Sequence, residues 1–314
     1  MSAPKFIKKM AVLVAIEATV GTIVVPVAAD AIEVSDVTLT PIEGDEVDQG
    51  VIRPYFGASE TTLVTLYRKI AFSVGLAGVG TVGDLPGWAT LMRACAASCT
   101  NTSAPDVNAG TVFAPVTDNI ESVTIYAVVD KLLYKMAGAR ANVKAMVDAK
   151  QIPKWQYEFT GSFLPVEDVG AMPAVSYAKF QRPLGVNALN STLELDGFTA
   201  ACSSFQFDFG NQVVKQDLMN VNTTEITGRA STGSVTFRNT SVATKNWIEM
   251  ARASAKVPML LKHGQAATNT VSISATTAQI GKPTFSDQDG IQMITVPLRF
   301  IPSDAGNDEW AIAC

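Results

Sequence analysis

The sequence predicts a mainly-β protein of two tandem β-sandwich or barrel units, each with one short flanking α-helix. Apolar and polar residues alternate along most of the chain, which is the pattern of strands with one buried face. Only two segments have a clear helical pattern, and features of the first half recur in the second half in the same order. The 314 residues suit about two domains, which we assign to residues 1–165 and 191–314, joined by a linker at 166–190.

The N-terminal segment is interpreted as a strand–turn–strand entry to the first unit. Three lysines precede the apolar run Met10–Ile16, as they would in a secretory signal. Glu17 ends that run, however, and residues 22–27 are mostly β-branched, with Pro26 marking an edge. No apolar stretch reaches the roughly 18 residues of a membrane helix, so no membrane partner is predicted.

Alternation predicts the other strands of both units. They lie at residues 32–39, 70–76, 123–129 and 155–159 in the first unit, and at 205–209, 235–237, 271–273 and 294–300 in the second. Helices are predicted at 88–97 and 243–254. The segment 130–148 has a helical composition, but Gly138 interrupts it and its valines alternate, so a hairpin is predicted there.

The internal repeat rests on four matches that keep the same order. Gly44 begins a segment that resembles the one beginning at Gly210, and each follows a strand. A further strand precedes each helix, and a Phe-x-Pro segment closes each half, at 163–165 and at 300–302. The helices share a tryptophan and an arginine with identical spacing, which we take as equivalent anchors: Trp88, Arg93, Trp247 and Arg252.

Composition excludes several classes of protein. With 47% hydrophobic and 17% charged residues, the chain is not intrinsically disordered. Its net charge of -5 does not fit a protein that binds nucleic acid regardless of sequence, which needs a basic surface. Cys95 and Cys99 could form half a metal site on one helix face, but we favour buried small side chains, and no cofactor is predicted.

Three further motifs could carry chemistry, and for each we favour a structural role. Residues 78–83 spell G-x-G-x-x-G after a strand, but Pro86 and Gly87 precede the helix and no βαβ unit surrounds the motif. His263 could act as a general base, although a position at a strand end is the simpler interpretation. The acidic run 43–48 lacks the pattern of a calcium loop, and its second copy is neutral. We therefore predict no enzymatic activity.

Two long loops, at 44–62 and 210–229, are the candidates for contacts between subunits. Their apolar residues would be costly in water unless a neighbour covers them. The alternative is that each loop folds back onto its own unit. The candidate contact residues, which include the acidic residues at the start of the first loop, are Glu43, Asp45, Glu46, Val51, Ile52, Tyr55, Phe56, Val213, Val214, Leu218 and Met219.

An ordered set of segments along nearly the whole chain resembles a known family. These segments are residues 31–45, 52–59, 161–165, 208–214, 227–235 and 303–309. Together they are similar to the major tail tube proteins of bacteriophages with long, non-contractile tails. No single segment is diagnostic, and the resemblance rests on their order.

The resemblance implies a tail-tube-type β-sandwich or barrel in each unit and a structural role in the virion. Family members form rings whose inner sheets join into one barrel, and the rings stack into the tube that conducts DNA during ejection. Stacking would use loops at about 43–66 and 210–230, which makes the candidate contact residues inter-ring contacts.

The resemblance also implies partners and a stoichiometry. A ring usually has six tube units, so two units per chain imply a homotrimer with pseudo-sixfold symmetry, the alternative being a hexamer of chains. The implied partners are the tape-measure, tail terminator and distal tail proteins. Phage DNA would pass through the lumen without specific binding, and assembly would take place in the host cytoplasm.

Three other functions remain open at this point. A tail terminator or distal tail protein would form single rings that do not polymerise. A secreted β-sandwich binding module would require a real signal at the N-terminus and apolar loops that hold a ligand. A hydrolase would combine His263 with a serine and an acid.

Overall fold

The computed structural model describes residues 4–81, 83–102 and 110–314. Within these ranges the chain forms 23 strands and two short α-helices, which confirms the predicted mainly-β fold. The elements up to the end of the predicted first unit are β1 Met10–Ile16, β2 Ala31–Ile32, β3 Ser35–Glu43, β4 Glu46–Asp48, β5 Thr61–Leu63, β6 Tyr67–Gly75, α1 Ala89–Arg93, β7 Thr100–Thr102, β8 Gly110–Phe113, β9 Val123–Val129, β10 Leu132–Asp148 and β11 Lys154–Phe163.

The remaining elements belong to the predicted linker and second unit. In the linker only β12 is regular, and it pairs with the start of β10. The elements are β12 Glu167–Asp168, β13 Ser191–Leu195, β14 Phe198–Thr199, β15 Cys202–Asp208, β16 Asn211–Leu218, β17 Val221–Arg229, β18 Thr232–Arg238, α2 Trp247–Arg252, β19 Lys256–His263, β20 Val271–Ile280, β21 Thr284–Gln288, β22 Ile291–Phe300 and β23 Ala311–Ala313.

The hairpin predicted at 130–148 is wrong, because most of this segment is the single long strand β10. The turn lies at its start instead, where Asp130 and Lys131 adopt positive φ angles of 40° and 71°. Gly138, at φ 60°, sits in an irregularity that interrupts the ladders of β10 with both β9 and β11. A glycine interrupts the pattern because a bulge needs its conformational freedom, and the chain does not turn there.

Three smaller predictions also need correction. Residues 22–27 form no strand, because β2 already pairs with the part of β1 that a second strand would need. The two helices are shorter than predicted, since the chain leaves the helix soon after each arginine. Ala96 and Ser254, at φ 58° and 51°, adopt the left-handed conformation that typically follows a helix end.

The two halves share one order of strand pairing. In the first half β3 pairs with β6, β6 with β11, β11 with β10, and β10 with β9. In the second half β15 pairs with β18, β18 with β22, β22 with both β20 and β21, and β20 with β19. The strands β20 and β21 together therefore take the place of the single strand β10.

The sheets of the two halves are joined edge to edge. The end of β10 pairs with β15 in an antiparallel ladder from Lys144↔Asp208 to Asp148↔Ser204. Eight strands consequently lie side by side in the order β3, β6, β11, β10, β15, β18, β22 and β21. Among the described residues, the outer edges of β3 and β21 have no pairing partner.

Alternation along these strands separates a buried face from a polar face. On β11, Trp155, Tyr157 and Phe159 are buried, whereas Gln156 and Glu158 between them are exposed. The same alternation recurs on β15 and β18, and the aromatic side chains of both halves belong to one continuous core. The face opposite the core is mostly polar and includes the exposed Gln156, Glu158 and Gln206.

Candidate subunit interface

Two hairpin-like projections leave the main sheet at equivalent positions, and we call them the first arm (residues 44–65) and the second arm (residues 210–230). Each arm begins at a glycine that lies against the returning chain. A Cβ on Gly44 would lie 1.8 Å from Thr65 O, and a Cβ on Gly210 would lie 2.1 Å from Ala230 O. Neither distance can accommodate a side chain, so the repeated glycine is explained by close backbone approach.

The second arm is a regular hairpin of β16 and β17 that packs on β10 and β11 of the first half. Arg140 of β10 is only 5% exposed and donates to Thr224 O at 2.7 Å and to the carboxylate of Glu225. Asn211 Nδ2 donates to Cys95 O at 2.7 Å, at the base of the arm. The loop predicted at 210–229 is therefore mostly strand, and its base contacts the other half of the same chain.

The tip of the second arm remains exposed. Leu218 and Met219 are 65% and 95% exposed, and Val214 is also exposed, whereas Val213 is half-buried near the base. Four of the candidate contact residues thus lie on one hairpin, and the exposed ones are apolar. Exposed apolar clusters of this kind are typical of interaction surfaces.

The first arm extends into solvent. Only its short ladder of β4 and β5 is regular, and Gln49 N donates to Glu60 O at 3.2 Å just beyond it. Ile52 is 98% exposed and Phe56 is fully exposed. The candidate residues at its base and along it are all exposed except for the half-buried Glu43: Asp45, Glu46, Val51, Ile52, Tyr55 and Phe56.

The predicted helix anchors have two separate roles. Trp88 and Trp247 are buried at the starts of α1 and α2, and Trp88 Nε1 donates to Ala77 O at 2.9 Å. Arg93 instead pairs with Glu121 at the surface, and the hydrogen bonds that it donates to that carboxylate raise the pKa of Arg93. Arg252 pairs with Glu249 on its own helix. The tryptophans therefore hold the helices on the core, while the arginines lie on the surface.

His263 ends β19, as predicted, and it is buried. Its Nδ1 lies 2.8 Å from Ser191 Oγ, and burial lowers the pKa of the imidazole. Nε2 has no hydrogen-bond partner in the described part of the chain. A serine and a histidine are therefore adjacent, but among the residues that the structure describes no carboxylate hydrogen-bonds this imidazole to complete a hydrolase triad.

The glycine-rich segment 78–83 packs against the turn before β20. Gly78 N donates to Asn269 Oδ1 at 2.9 Å, and Gly80 N donates to Thr268 O at 2.7 Å. Val82 lies outside the described residues. Because α1 begins only at Ala89, its N-terminus is not part of the motif, and two of the N–H groups that a phosphate would need are already bonded.

The cysteines are not arranged as metal ligands. The helix α1 ends at Arg93, so Cys95 and Cys99 do not share a helix face. Burial raises the pKa of both thiols. Across residues 4–81, 83–102 and 110–314, no three His, Cys, Asp or Glu side chains converge on a common point as metal ligands would.

Arg140 and Glu225, which hold the second arm in place, were not among the residues singled out from the sequence. A sequence signal did exist. Ile70 of β6 and Val235 of β18 occupy equivalent positions, and a glutamate lies ten residues before each of them, Glu60 in the first half and Glu225 in the second. Extending the repeat through the arms would have found this pair of glutamates.

In the described part of the chain, neither helix has the length or apolarity needed to span a membrane. Comparison with models of known protein families gave no match, and comparison with curated proteins gave no similar sequence.

Proposed function

We propose that this chain is the structural subunit of a bacteriophage tail tube, which joins head to tail into rings that stack. The observation that carries the proposal is the ladder between β10 and β15. It joins two equivalent units side by side within one chain and leaves free the two strand edges that would repeat the same contact with further copies.

The free edges of β21 and β3 correspond to the edges of β10 and β15 that are joined within the chain. Asn142 of β10 pairs with Glu158, and Thr284 of β21 pairs with Thr295 at the same place in the second half. The strand β3 likewise holds the place of β15. Pairing of β21 with β3 of the next protomer would therefore repeat the internal contact. Such head-to-tail pairing removes the exposed edges once a ring closes.

The burial of side chains near these edges fits this arrangement. Val143 is fully buried where the second half covers the edge of β10, whereas Phe285, its equivalent on the free edge of β21, is 50% exposed. A neighbouring β3 would cover Phe285 in the same way. Pro41 of β3 has no N–H, so this ladder would have fewer donors than the internal one.

The exposed tips of the arms are suited to stacking between rings. Ile52 and Phe56 of the first arm and Leu218 and Met219 of the second arm present apolar side chains to solvent. Burial against a second ring would remove this apolar surface from water at roughly 25 cal/mol per Å². The duplicated unit would thus provide two stacking contacts per chain.

The polar face of the eight-stranded sheet is suited to lining a channel for DNA. Its exposed side chains include Gln156, Gln206 and Gln288. Two lysines on this face are neutralised by carboxylates, with Lys144 bound to Asp208 at 3.0 Å and Lys154 bound to Asp36 at 2.6 Å. Such pairing weakens the attraction of these lysines for phosphates, which would help a duplex to slide past them.

The remaining features of the proposal follow from the family resemblance. Two units per chain and six units per ring give a homotrimer with pseudo-sixfold symmetry, with a hexamer of chains as the alternative. The partners would be the tape-measure, tail terminator and distal tail proteins, the location would be the virion tail, and the chain would have no catalytic role.

Electron microscopy of the purified chain tests this function. Stacked rings with a central channel and threefold symmetry are the expected result. Single rings that do not stack would favour a terminator or distal tail protein, and a dispersed monomer at high concentration would rule out the tube. Deleting residues 48–59 should leave a folded subunit, judged by circular dichroism, that no longer stacks.

A further inference from the structure

An open groove lies between α2 and the strands β20 and β22, with a volume of about 550 Å³. Its charged lining is basic, because the exposed side chains of Lys282 and Arg299 border it; Arg252 borders it too, but its charge is paired with Glu249 on its own helix. Ile248 and Pro283 provide apolar surface beside these cations. The groove therefore has the chemistry to receive an acidic segment of chain.

The equivalent place in the first half is already filled. Met136 pairs with Phe163 in the first half, and Ala278 pairs with Phe300 at the same position in the second half. Arg140 lies four residues after Met136, and Lys282 lies four residues after Ala278. Lys282 therefore has the position in the second half that Arg140 has in the first. The same ladder places Arg299 where the first half has Ser162. Arg140 and Ser162 are the residues that hold the second arm, through Glu225 and through Lys215 Nζ at 2.8 Å.

The first arm matches the open groove in position and in charge. Glu60 has the place in this arm that Glu225 has in the second arm. Four more acidic residues lie at its base, where the second arm is mostly neutral: Glu43, Asp45, Glu46 and Asp48. Within the described ranges, neither Glu60 nor Lys282 nor Arg299 forms an ion pair, so these charges are available to an external partner.

The arm that fills the groove must come from another copy of the chain. The first arm leaves the sheet between β3 and β6, at one edge of the eight strands, while the groove lies near β21 at the opposite edge. The contact within the chain runs in the same direction. There, the second half pairs with the edge of the first half through β15, and its arm packs on β10 and β11 of that first half.

We infer that the base of the first arm docks in this groove of the neighbouring protomer, with Glu60 paired to Lys282 and its acidic run facing Arg299. This inference rests on the proposed function and assigns separate tasks to the parts of the arm. The acidic base makes the lateral contact within a ring, and the apolar tip is left for the next ring. It also accounts for the densest charge cluster of the sequence.

Charge reversal tests the pairing. Glu60→Lys and Lys282→Glu should each raise the concentration needed for assembly about tenfold, because like charges then meet in the groove. The double variant should restore assembly toward the wild-type concentration. Lys262→Glu is the matched control, since Lys262 is an exposed lysine of β19 outside the groove and its reversal should leave assembly unchanged. Sedimentation and electron microscopy at about 0.1 M salt measure assembly, and circular dichroism checks the fold.

Cross-linking tests whether the contact joins two chains. Glu60→Cys and Lys282→Cys variants, mixed before assembly and oxidised, should give a disulfide-linked dimer that neither variant gives alone. The native cysteines add little background, because burial raises the pKa of all four thiols. A chain carrying both substitutions that cross-links only within itself would overturn the inference.

The outcomes separate this inference from the proposed function. Wild-type tubes together with a failed charge swap and no mixed dimer would show that the arm docks elsewhere, while the tube function stands. Absence of any ring or tube from the wild-type chain would instead remove the proposed function, and with it the basis for this docking.

Discussion

The neck of the second arm provides a stability test whose size can be worked out from backbone geometry. Gly210 has φ 69°, and its carbonyl accepts a hydrogen bond from Ala230 N at 3.1 Å. In Gly210→Ala the new Cβ would lie 2.1 Å from Ala230 O, so the two strands of the neck would have to separate by about 1 Å.

Two costs add in this variant. A non-glycine residue in the left-handed region costs about 1–2 kcal/mol. Separating the strands weakens the neck hydrogen bond, which contributes about 0.5–1.5 kcal/mol. The free energy of unfolding should therefore fall by about 1.5–3.5 kcal/mol in total, provided that the rest of the arm stays in place.

The chain contains a matched control for the first cost. Gly197 also has φ 69°, but no atom lies within 4 Å of the position that a Cβ would take. Gly197→Ala should therefore lose only the conformational cost of about 1–2 kcal/mol. Urea unfolding of the unassembled chain, followed by tryptophan fluorescence, measures both variants. Equal losses in the two variants would refute the close-approach explanation for the repeated glycine.

Three further predictions concern the core, the thiols and the histidine. Phe207 is fully buried and its ring packs edge-on against Trp310 at 5.7 Å, so Phe207→Ala should lower the free energy of unfolding by about 3–5 kcal/mol; a loss below about 1 kcal/mol would contradict this packing. Burial raises the pKa of Cys202 and Cys314 to about 12. Iodoacetamide at pH 8 should therefore label these thiols slowly in the folded chain and quickly in urea, and rapid labelling of the folded chain would count against their burial. Burial also lowers the pKa of His263, so the unfolded chain takes up a proton before the folded chain does as the pH falls. The free energy of unfolding should therefore decrease below about pH 6.5. His263→Gln should reduce this decrease, and identical pH profiles of stability for the two proteins would disprove the role of His263.

Local patterns of side chains were sufficient for the long strands of the core, but not for the hairpin of β16 and β17, which was predicted as a loop. Alternation along β11 and β22 identified strands because one face of each is buried, and this periodicity is visible in any single strand. The matching tryptophans and glycines identified the duplication, because core anchoring and close backbone approach each restrict the residue type at a given position. Segment 130–148 was misassigned because the bulge at Gly138 leaves the same local signal as a turn.

Contacts between distant residues were beyond such patterns. The ladder from β10 to β15 joins residues about 60 positions apart, and the pairing of Arg140 with Glu225 spans 85 positions. Neither has a periodic signature, because each depends on which strand edge happens to lie beside another once both halves have folded.

The amino-acid order alone therefore determined the mainly-β fold, the repeated features of the two halves and the positions of the segments that project from the sheet. Only the folded chain decided which edges and which groove are already occupied and which remain open. The physical reason is that the unfolded and the folded chain carry the same hydrogen-bond donors, acceptors and charges. Whether they are satisfied depends on their neighbours in space. In this protein the second half covers the edge of β10 in the first half, whereas the corresponding edge of β21 in the second half stays open within the chain, and our proposal assigns that edge to another copy.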